Sequence, residues 1–498
     1  MWPRGGSTPE PRQAAVIDVG SNSVRLVIYR IDGRALWTVF NEKALAGLGR
    51  DLPTSGRLSQ PGVETAMAAI RRFMTVLDGW RPDDITAVAT AAVRDAADGP
   101  AFLQRIRKET GLSVRVLSGD EEARYAALGV VAGDPVAQGV VGDLGGSSLE
   151  LIRLNGSDPA EGVTLPLGPF ALGAPRPLDV DKIRRVIDGH LAPLAGRFAT
   201  PRLHAVGGAW RNLALLHMEL ADYPLKVAHQ YALSRTDAVE VARFVERQSR
   251  SSLEGIQGVS KKRFDTLPYS ALVLEAVIEK LGVEEVAISA YGVREGMLLE
   301  AMPPEVRRRD PLIAGCEALT AVRGLSPDLG GALEAWLRPA FDRLAPLFGR
   351  RDPALLAAAC RLADIGARMH PDHRADLAFE AVLRAPIAGM THPERAFLAC
   401  AAFARYTVAT RTPEEVAIAR ILSPERRQRA RALGSAIRLG ADLSGRNARL
   451  LEKSAIAIAG DRLTLSAAPG WEAMLLGEQT AKRAKTLAGA LKLKLEMA

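Results

Sequence analysis

The sequence has few cysteines and no long hydrophobic segment. Only three cysteines occur among 498 residues, Cys316, Cys360 and Cys400. They are far apart and form no C-x-x-C pair, which argues against a zinc site or a disulfide framework and predicts buried, reduced side chains. No uncharged apolar run approaches the roughly 20 residues that cross a bilayer. The first thirteen residues also lack the apolar core of a signal peptide, so we expect a frayed leader and a cytoplasmic protein.

The composition is that of a globular protein with several domains. Hydrophobic residues make up 48% of the chain and charged residues 24%, which is enough apolar material for a sizeable core. The length corresponds to roughly three domains. Composition shifts and turn-rich breaks place the segments at 1–13 (leader), 14–134, 135–305 and 306–498, with "PPEVRRRDP" at 303–311 as a plausible linker.

Short β-rich runs alternate with helical stretches up to about residue 300. Strands are predicted at 85–93 and 113–119, and a helix is predicted over 62–80. Beyond residue 311, long stretches rich in Ala, Leu and Arg predict helices, with one hairpin at 455–467 that turns at Gly460-Asp461. The pattern therefore predicts two α/β units followed by a mainly α-helical part.

One acidic, glycine-marked turn occurs twice. "AVIDVGSNSVRLVI" (15–28) aligns without a gap on "GVVGDLGGSSLELI" (139–152), so that Asp18 falls on Asp143 and Gly20 on Gly145. A strand that ends in Asp and turns through Gly exposes successive backbone N–H groups, which attract phosphate oxygens. Since each copy opens an α/β unit, we expect the two turns to face each other across a cleft and to grip a substrate from two sides.

The two copies differ at one position of the return strand. In the second copy Glu150 can meet Asp143 across the hairpin, and two carboxylates are ligands that Mg²⁺ takes together with waters and substrate phosphates. The first copy has Arg25 at this position, which would either bind an anion directly or brace an acidic neighbour.

The positive charge of the chain lies in its C-terminal part. The chain carries a net charge of +8, and residues 311–498 alone contain 27 basic and 19 acidic side chains, so the N-terminal part is neutral. Clusters such as "ERRQRAR" (425–431) and 481–498 are compatible with a polyanionic partner, whether a phosphate chain, a nucleic acid or an acidic lipid. Solvated helix faces would explain any single cluster equally well.

Six motifs together resemble those of the exopolyphosphatase and guanosine pentaphosphate phosphatase family, within the actin-like superfamily. They are "DVGSNSVRL" (18–26), "ATAAVRDAAD" (89–98), "SGDEEARYAALGV" (118–130), "DLGGSSLEL" (143–151), "AVGGAWRNLA" (205–214) and "YGVREGML" (291–298). The resemblance covers about residues 14–300. It implies two tandem actin-like, ribonuclease H-like α/β domains, and the long members carry a helical C-terminal domain that resembles a degenerate histidine-aspartate fold.

The resemblance also implies site residues. Glu122 matches the catalytic glutamate that activates water, although from the residues alone Glu121 competes with it, and Arg94 matches an arginine that contacts phosphate. Asp143 and Glu150 correspond to the Mg²⁺ site. The implied substrate-binding positions are Ser21, Asn22, Ser23, Arg25, Gly145, Gly146, Ser147, Ser148, Gly207, Gly208 and Arg263.

Three positions depart from the family pattern. Ser147 replaces the third glycine of the second turn, where its hydroxyl could add a donor. Ala209 replaces a common Thr, which argues against adenine-nucleotide handling. Ala363 takes the place of the first histidine of the histidine-aspartate motif, so we expect Asp364, His370 and His373 to remain from a site without a metal.

Four functions are open from the sequence. The first is Mg²⁺-dependent, processive hydrolysis of terminal phosphate from inorganic polyphosphate, and the second is hydrolysis of guanosine pentaphosphate. The third is a non-catalytic regulator that binds guanosine tetra- or pentaphosphate in the stringent response, and the fourth is a kinase of the same superfamily. The resemblance implies a homodimer, and we expect neither a membrane nor a nucleic acid as partner.

Overall fold

A computed structural model describes residues 10–156, 158–175, 178–248, 252, 264–321 and 328–498. The chain divides into two units, an N-terminal unit of residues 1–309 and a C-terminal unit of residues 310–498. Within the described residues, no helix combines the length and the apolar character needed to span a membrane. The predicted leader is described only from residue 10 onwards, and the first strand already begins at Arg12.

The first sheet of the N-terminal unit has five strands in the order β3-β2-β1-β4-β5. β1, β2 and β3 form an antiparallel meander, and β4 and β5 continue the sheet in parallel with β1. Neighbouring residues of β1 belong to different core clusters, Val16 to one and Ile17 to the other, because successive side chains of a strand point to opposite faces. The strand bounds are Arg12–Val19, Val24–Asp32, Ala35–Ala44, Asp84–Ala89 and Arg115–Val116.

The second sheet repeats this arrangement and adds one strand at its edge. Its order is β10-β11-β9-β6-β7-β8, so that β6, β7, β8, β9 and β11 occupy the places of β1, β2, β3, β4 and β5. The extra strand β10 pairs antiparallel with β11. The strand bounds of β6 to β11 are Gly139–Leu144, Leu149–Asn155, Asp158–Leu165, Arg202–Val206, Ala232–Ser234 and Glu285–Ile288.

Helices cover both sheets, and the predicted helix over 62–80 is present as α2. The strand predicted at 85–93 is wrong beyond Ala89, because the Thr90 carbonyl accepts hydrogen bonds from the backbone N–H groups of Val93 and Arg94 and starts a short helix there. The described helices of this unit, α1 to α12, are Leu52–Ser55, Gln60–Trp80, Ala91–Asp95, Gly99–Thr110, Gly119–Gly133, Val180–Leu191, Ala195–Phe198, Gly208–Leu220, Arg235–Arg247, Leu267–Leu281, Val293–Glu300 and Pro304–Arg307.

The C-terminal unit is mainly helical, as predicted. The hairpin predicted at 455–467 is present as β12 (Ser454–Ala459) and β13 (Arg462–Ala467), with β14 (Lys494–Met497) parallel to β13. The three cysteines are buried and free, which confirms that prediction. Helices α13 to α22 are Pro311–Ala321, Leu329–Phe341, Asp352–Arg361, Arg374–Leu383, His392–Tyr406, Glu415–Ile421, Pro424–Leu443, Ala448–Leu451, Glu472–Leu475 and Glu478–Leu491.

The basic run at 425–431 is engaged in packing inside the C-terminal unit. The Arg426 guanidinium lies 4.1 Å from the centre of the Phe348 ring and donates to a backbone carbonyl. Arg427 forms an ion pair with a glutamate, and Arg429 and Arg431 donate to backbone carbonyls. Much of the charge that suggested a polyanion surface at this run therefore stabilises loops of its own unit.

Candidate active site

The two repeated turns meet in one crevice of the N-terminal unit. A Cβ atom placed on Gly146 of the second turn would lie 3.0 Å from the Ser21 Cβ and 3.2 Å from the Asn22 backbone nitrogen of the first turn. A cavity of about 190 Å³ opens beside this contact. Among the predicted site residues, those that line it are Ser21, Asn22, Ser23, Arg25, Glu122, Asp143, Gly145, Gly146, Ser148, Gly207 and Gly208.

Both turns have the same backbone geometry. The Gly20 N–H donates to the Ser23 carbonyl at 3.0 Å, and the Gly145 N–H donates to the Ser148 carbonyl at 2.9 Å. The strand registers also match, since Asp18 is opposite Arg25 in the first hairpin as Asp143 is opposite Glu150 in the second. The alignment of the sequence repeats is therefore also a structural alignment.

Four carboxylates collect around the cavity, and burial raises the pKa of each. The pKa of Glu122 is raised to about 7 by burial and by the negative charge of Asp143. The pKa of Asp143 is also raised to about 7, by burial and by Asp18. Glu150 is only 1% exposed, and burial together with Glu122 and Asp143 raises its pKa well above the usual range. Such a group of carboxylates is unfavourable unless a cation or protons compensate it.

The structure separates Glu122 from its competitor Glu121. Glu121 accepts a hydrogen bond from the Ser118 backbone N–H at 2.9 Å and completes a capping box at the start of α5. It also pairs with Arg115 on the exposed side of the helix. Glu122 instead is buried and lines the cavity. Since helix capping already occupies Glu121, Glu122 is the carboxylate of this pair that faces the cavity.

Arg94 positions Glu122 from outside the cavity. Its guanidinium donates to the Glu122 Oε2 atom at 3.1 Å and to the Leu117 carbonyl at 3.1 Å. Its Nε–H also donates to Asp95 Oδ1 at 3.1 Å, and Arg94 is not among the residues that line the cavity. The arginine predicted to contact phosphate therefore contacts the predicted base.

Four cations line the cavity, and only one of them, Arg25, was predicted from the sequence as a site residue. Lys43, Arg211 and Arg294 line the cavity with Arg25. The pKa of Arg25 is lowered to about 10 by burial and by the nearby charges of Arg294 and Arg211. Arg211 and Arg294 stand inside motifs quoted above, so the motifs contained the signal, whereas Lys43 lies on β3 and in none of them.

Arg294 connects this basic wall to a buried network. Its guanidinium lies 3.9 Å from the Asp18 carboxylate and 4.0 Å from that of Glu295. Tyr29 donates a hydrogen bond from its hydroxyl to Glu295. The positive charge of Arg294 opposes the burial effect that raises the pKa of Asp18. Asp18 thus stands between the acidic and the basic walls.

A glycine turn and a helix start close the cavity at one end. Gly207 has a φ of 107° and precedes α8, and a Cβ atom at this position would lie 2.5 Å from the Leu144 carbonyl oxygen. Gly208 and Ala209 of the first helical turn line the cavity. A helix N-terminus offers unpaired backbone N–H groups and a partial positive charge to a phosphate.

Some predicted residues lie away from the cavity or outside the described part of the chain. Glu150 and Ser147 are not lining residues, and the Ser147 hydroxyl is buried without a hydrogen-bond partner among the described residues. Arg263 lies outside the described residues. In the C-terminal unit His370 is exposed and 3.8 Å from Asp372. The described residues contain no group of three or more His, Cys, Asp or Glu side chains arranged to hold a metal.

Comparison with known proteins gives the relatives of the chain. The profile of the Ppx/GppA phosphatase family matches residues 27–305, and the profile of the exopolyphosphatase C-terminal domain matches residues 312–497. Exopolyphosphatase 1 of Mycobacterium tuberculosis is 28% identical over 324 residues, which cover 62% of this chain and 94% of that protein. Exopolyphosphatase 1 of Mycobacterium leprae is 29% identical over 309 residues, or 58% and 89%.

Solved structures agree with these relatives. The crystal structure of an exopolyphosphatase from Cytophaga hutchinsonii superposes with a TM-score of 0.54 at 25% identity and covers 58% of this chain and 98% of that one. The Aquifex aeolicus member of the Ppx/GppA family gives a TM-score of 0.50 at 26% identity, with 58% and 96% covered. The predicted fold class, two actin-like α/β sheet domains and a helical C-terminal region, is confirmed. The protein is accordingly a phosphatase, and the chain belongs to the Ppx/GppA phosphatase family.

Proposed function

We propose that this protein is an exopolyphosphatase, which hydrolyses terminal phosphate groups from inorganic polyphosphate processively and depends on Mg²⁺. The observation that carries the proposal is the placement of Glu122, a buried carboxylate with a pKa of about 7, in a cavity that four cations and the two glycine-marked hairpin turns also line. Phosphoryl transfer needs little more from a protein than a positioned water, a base and charge stabilisation.

Glu122 is the proposed general base. The oxygen of a water in line with the terminal phosphorus would bond to that phosphorus and give a proton to the Glu122 carboxylate while the bond to the bridging oxygen breaks. The terminal group leaves as orthophosphate, and the shortened chain keeps the bridging oxygen. The hydrogen bond from Arg94 fixes the direction of the carboxylate. A pKa near 7 suits this role, because the group is largely ionised just above neutral pH and is still a strong enough base.

The cationic wall and the turns are the proposed binding elements for the phosphate chain. Arg25, Arg211 and Arg294 present guanidinium groups, which match phosphate oxygens in geometry as well as in charge. The backbone of the two turns and the first turn of α8 add N–H donors. These elements would hold the last phosphates of the chain with the terminal group nearest to Glu122.

Asp143 and Glu150 are the proposed Mg²⁺ residues. The fit rests on Glu150, a buried carboxylate that lies directly opposite Asp143 in the hairpin and makes no hydrogen bond of standard geometry among the described residues, although the Ser148 side chain is close enough to lower its pKa. Mg²⁺ typically binds one or two carboxylates and completes its shell with waters and substrate phosphates. When bound, the ion would offset the negative charge of the phosphate oxygens. The two carboxylates contribute the negative charge that attracts it.

Two observations favour polyphosphate over guanosine pentaphosphate. None of the described residues that line the cavity is aromatic, so the cavity offers no ring on which a guanine base could stack. The curated relatives quoted above are named exopolyphosphatases. A purely regulatory role in binding guanosine phosphates has less support, because such a role does not require a buried base beside the phosphate turns. A kinase role has no support from an adenine pocket, since Ala209 lines the cavity where a Thr is common.

A substrate comparison tests the proposal. The purified full-length protein is incubated in Mg²⁺ with long polyphosphate, guanosine pentaphosphate or ATP plus glycerol, and released phosphate and phosphorylated acceptor are measured. We expect kcat/KM for phosphate release to be at least tenfold higher with polyphosphate than with guanosine pentaphosphate. No phosphorylated glycerol should form. The reverse preference would assign the second function, and phosphate release from neither substrate would overturn the proposal.

A further inference from the structure

Four arginines in the C-terminal unit gather around two aspartates, Asp364 and Asp442, and we call them the arginine cluster: Arg405, Arg438, Arg446 and Arg483. They come from α17, α19, the turn after α19, and α22, and α17 and α22 both pack against α19. The clustering is not visible in the sequence, because the four residues span 79 positions and stand in different elements.

The arginine cluster holds more positive than negative charge. Asp442 is shared by three of the arginines, at 3.8 Å from Arg405, 3.9 Å from Arg438 and 3.0 Å from Arg483. Arg446 lies 3.6 Å from a second carboxylate, that of Asp364. Four guanidinium groups therefore face two carboxylates.

The arginines also repel one another. Burial lowers the pKa of Arg438, and the charges of Arg483 and Arg405 lower it further. The pKa of Arg405 is lowered by burial and by Arg446. Both shifts have the same physical origin, since a buried cation beside other cations is less stable than one in water.

Two buried donors of the cluster have no partner. Arg405 is 4% exposed, and its Nε–H donates to no acceptor among the described residues. The Nη1 group of Arg438 is likewise buried and without an acceptor. Buried charged donors are normally satisfied, because leaving one unpaired is strongly unfavourable. Asp364 is also buried without a hydrogen-bond partner among the described residues, and at 3.6 Å from Arg446 it offsets only one of the four guanidinium charges. The two unpaired donors beside the remaining positive charge point to a further anionic acceptor.

We propose that the arginine cluster is a second anion site, which binds a compact phosphate-type oxyanion in the C-terminal unit. A tetrahedral oxyanion supplies several acceptors to converging guanidinium groups, which is how arginine recognises phosphate. Access is open at the rim, where the Arg446 and Asp442 side chains are 29% and 33% exposed. The Asp442 carboxylate already neutralises part of the positive charge of the arginines, so the remaining charge suits a small anion.

The arginine cluster would bind an anion, whereas the histidine-aspartate motif that this segment resembles holds a metal cation. Asp364, which the sequence analysis assigned to a site without a metal, faces the Arg446 guanidinium, and His370 is on the surface with 64% of its side chain exposed. An arginine cation stands beside the remaining aspartate, and the surplus of arginines around it attracts an anion instead.

Hydrogen exchange of the full-length protein tests the proposal, because it reports each segment separately. Orthophosphate and tripolyphosphate are compared with chloride at equal ionic strength. We expect orthophosphate to slow exchange in 400–446 and 478–491, and protection by tripolyphosphate alone would mean that the site takes a chain end. The turn at 143–148 serves as an internal reference for binding at the active site. If neither anion protects the cluster segments while the turn is protected, the proposal is wrong.

Variants separate binding from a general charge effect. Arg483→Met should weaken the phosphate-dependent protection about tenfold in phosphate concentration, as expected for the loss of one charged hydrogen-bonding partner. Lys485→Met removes the same charge from an exposed position on the same helix and should leave it unchanged. Asp442→Asn should bind phosphate several-fold more tightly, because it removes a competing carboxylate. Equal behaviour of Arg483→Met and Lys485→Met, or weaker binding in Asp442→Asn, would contradict a built anion site.

Discussion

The two hairpins of the N-terminal unit share one backbone geometry, but they carry side chains of opposite charge at one equivalent position. In both, an aspartate ends the first strand, a glycine N–H closes the turn at about the same distance, and the register places the aspartate opposite the residue seven positions later. In the first hairpin that residue is Arg25, and in the second it is Glu150. This difference at equivalent positions gives the first hairpin a cation that lines the cavity and the second hairpin a buried carboxylate beside Asp143.

This difference shows how a duplicated fold can produce an asymmetric site. A phosphate chain needs cations along its length, whereas a metal and a water need carboxylates at its end. In the proposed mechanism, each hairpin would supply one of these needs. Glu122 is also coupled more strongly to the acidic hairpin, because Asp143 raises its pKa more than Asp18 of the first hairpin does. Chemistry is therefore expected at the second hairpin and substrate binding at the first.

The largest effect is expected from Glu122→Gln, which removes the base but keeps its shape. Turnover of polyphosphate should fall by roughly 10³-fold or more, the upper part of the range for loss of a general base, while binding of the chain stays nearly unchanged. Steady-state phosphate release and equilibrium binding of a labelled chain measure the two quantities. Glu121→Gln is the matched control, and it should retain most of the activity, because a Gln at this helix position can still accept the Ser118 N–H hydrogen bond of the capping box. Similar losses in both variants would remove Glu122 from its role.

Glu150→Gln is expected to affect the acidic hairpin and not the basic one. If Glu150 holds Mg²⁺ with Asp143, the Mg²⁺ concentration for half-maximal activity should rise by about 10- to 100-fold. The equivalent change in the first hairpin, Arg25→Gln, should raise the KM for polyphosphate and leave the Mg²⁺ requirement as it is. Titrations of Mg²⁺ at saturating substrate, and of substrate at saturating Mg²⁺, separate the two. An equal change of Mg²⁺ requirement in both variants would break the comparison.

Glu150→Gln should also stabilise the protein when no metal is present. Burial raises the pKa of Glu150 in the folded state, so the folded state holds this proton more tightly than the unfolded state does. Wild-type stability is therefore lost as the pH rises above the ordinary glutamate pKa. Glu150→Gln has no such loss, and its melting temperature in EDTA should exceed that of the wild type by about 2–4 °C at pH 8 and by less at pH 5. A lower melting temperature of Glu150→Gln than of the wild type at pH 8 would show that neighbouring groups already compensate the charge of the Glu150 carboxylate.

Arg94→Met should shift the pH dependence of the reaction. The positive charge and the hydrogen bond of Arg94 lower the pKa of Glu122, against the larger effect of burial, so that it lies at about 7. Activity requires the ionised base, so it should rise with pH and level off above this value. Without Arg94 the pKa rises, and the acidic limb of kcat should move by about one unit to higher pH. An unmoved limb with a lower kcat would mean that Arg94 acts on the substrate instead.

The sequence predicted the fold and the acidic side of the site better than the basic side. The repeated turn, the pairing of Asp143 with Glu150 and the strand-turn-helix at Gly207 depend on local patterns, which a sequence displays directly. Lys43, Arg211 and Arg294 come from three distant segments and converge only when the sheets pack. The strand β3 that carries Lys43 was not predicted, because half-exposed residues such as "TVFNEK" show no clear apolar alternation. The arginine cluster was missed for the same reason, since its members meet only through helix packing.

The smallest effect is expected where the two hairpins touch. A Cβ atom on Gly146 would lie 3.0 Å from the Ser21 Cβ and 3.2 Å from a backbone nitrogen of the first turn, so Gly146→Ala must push the turns apart by a few tenths of an ångström. We expect the KM for polyphosphate to rise two- to fivefold with little change in kcat, because the phosphate donors of the two turns no longer converge as closely. Gly189→Ala, where a Cβ atom would meet nothing within 4 Å, is the control. If Gly146→Ala changes kcat and not KM, the contact between the hairpins positions the base and not the chain, and the division between a binding and a catalytic hairpin fails.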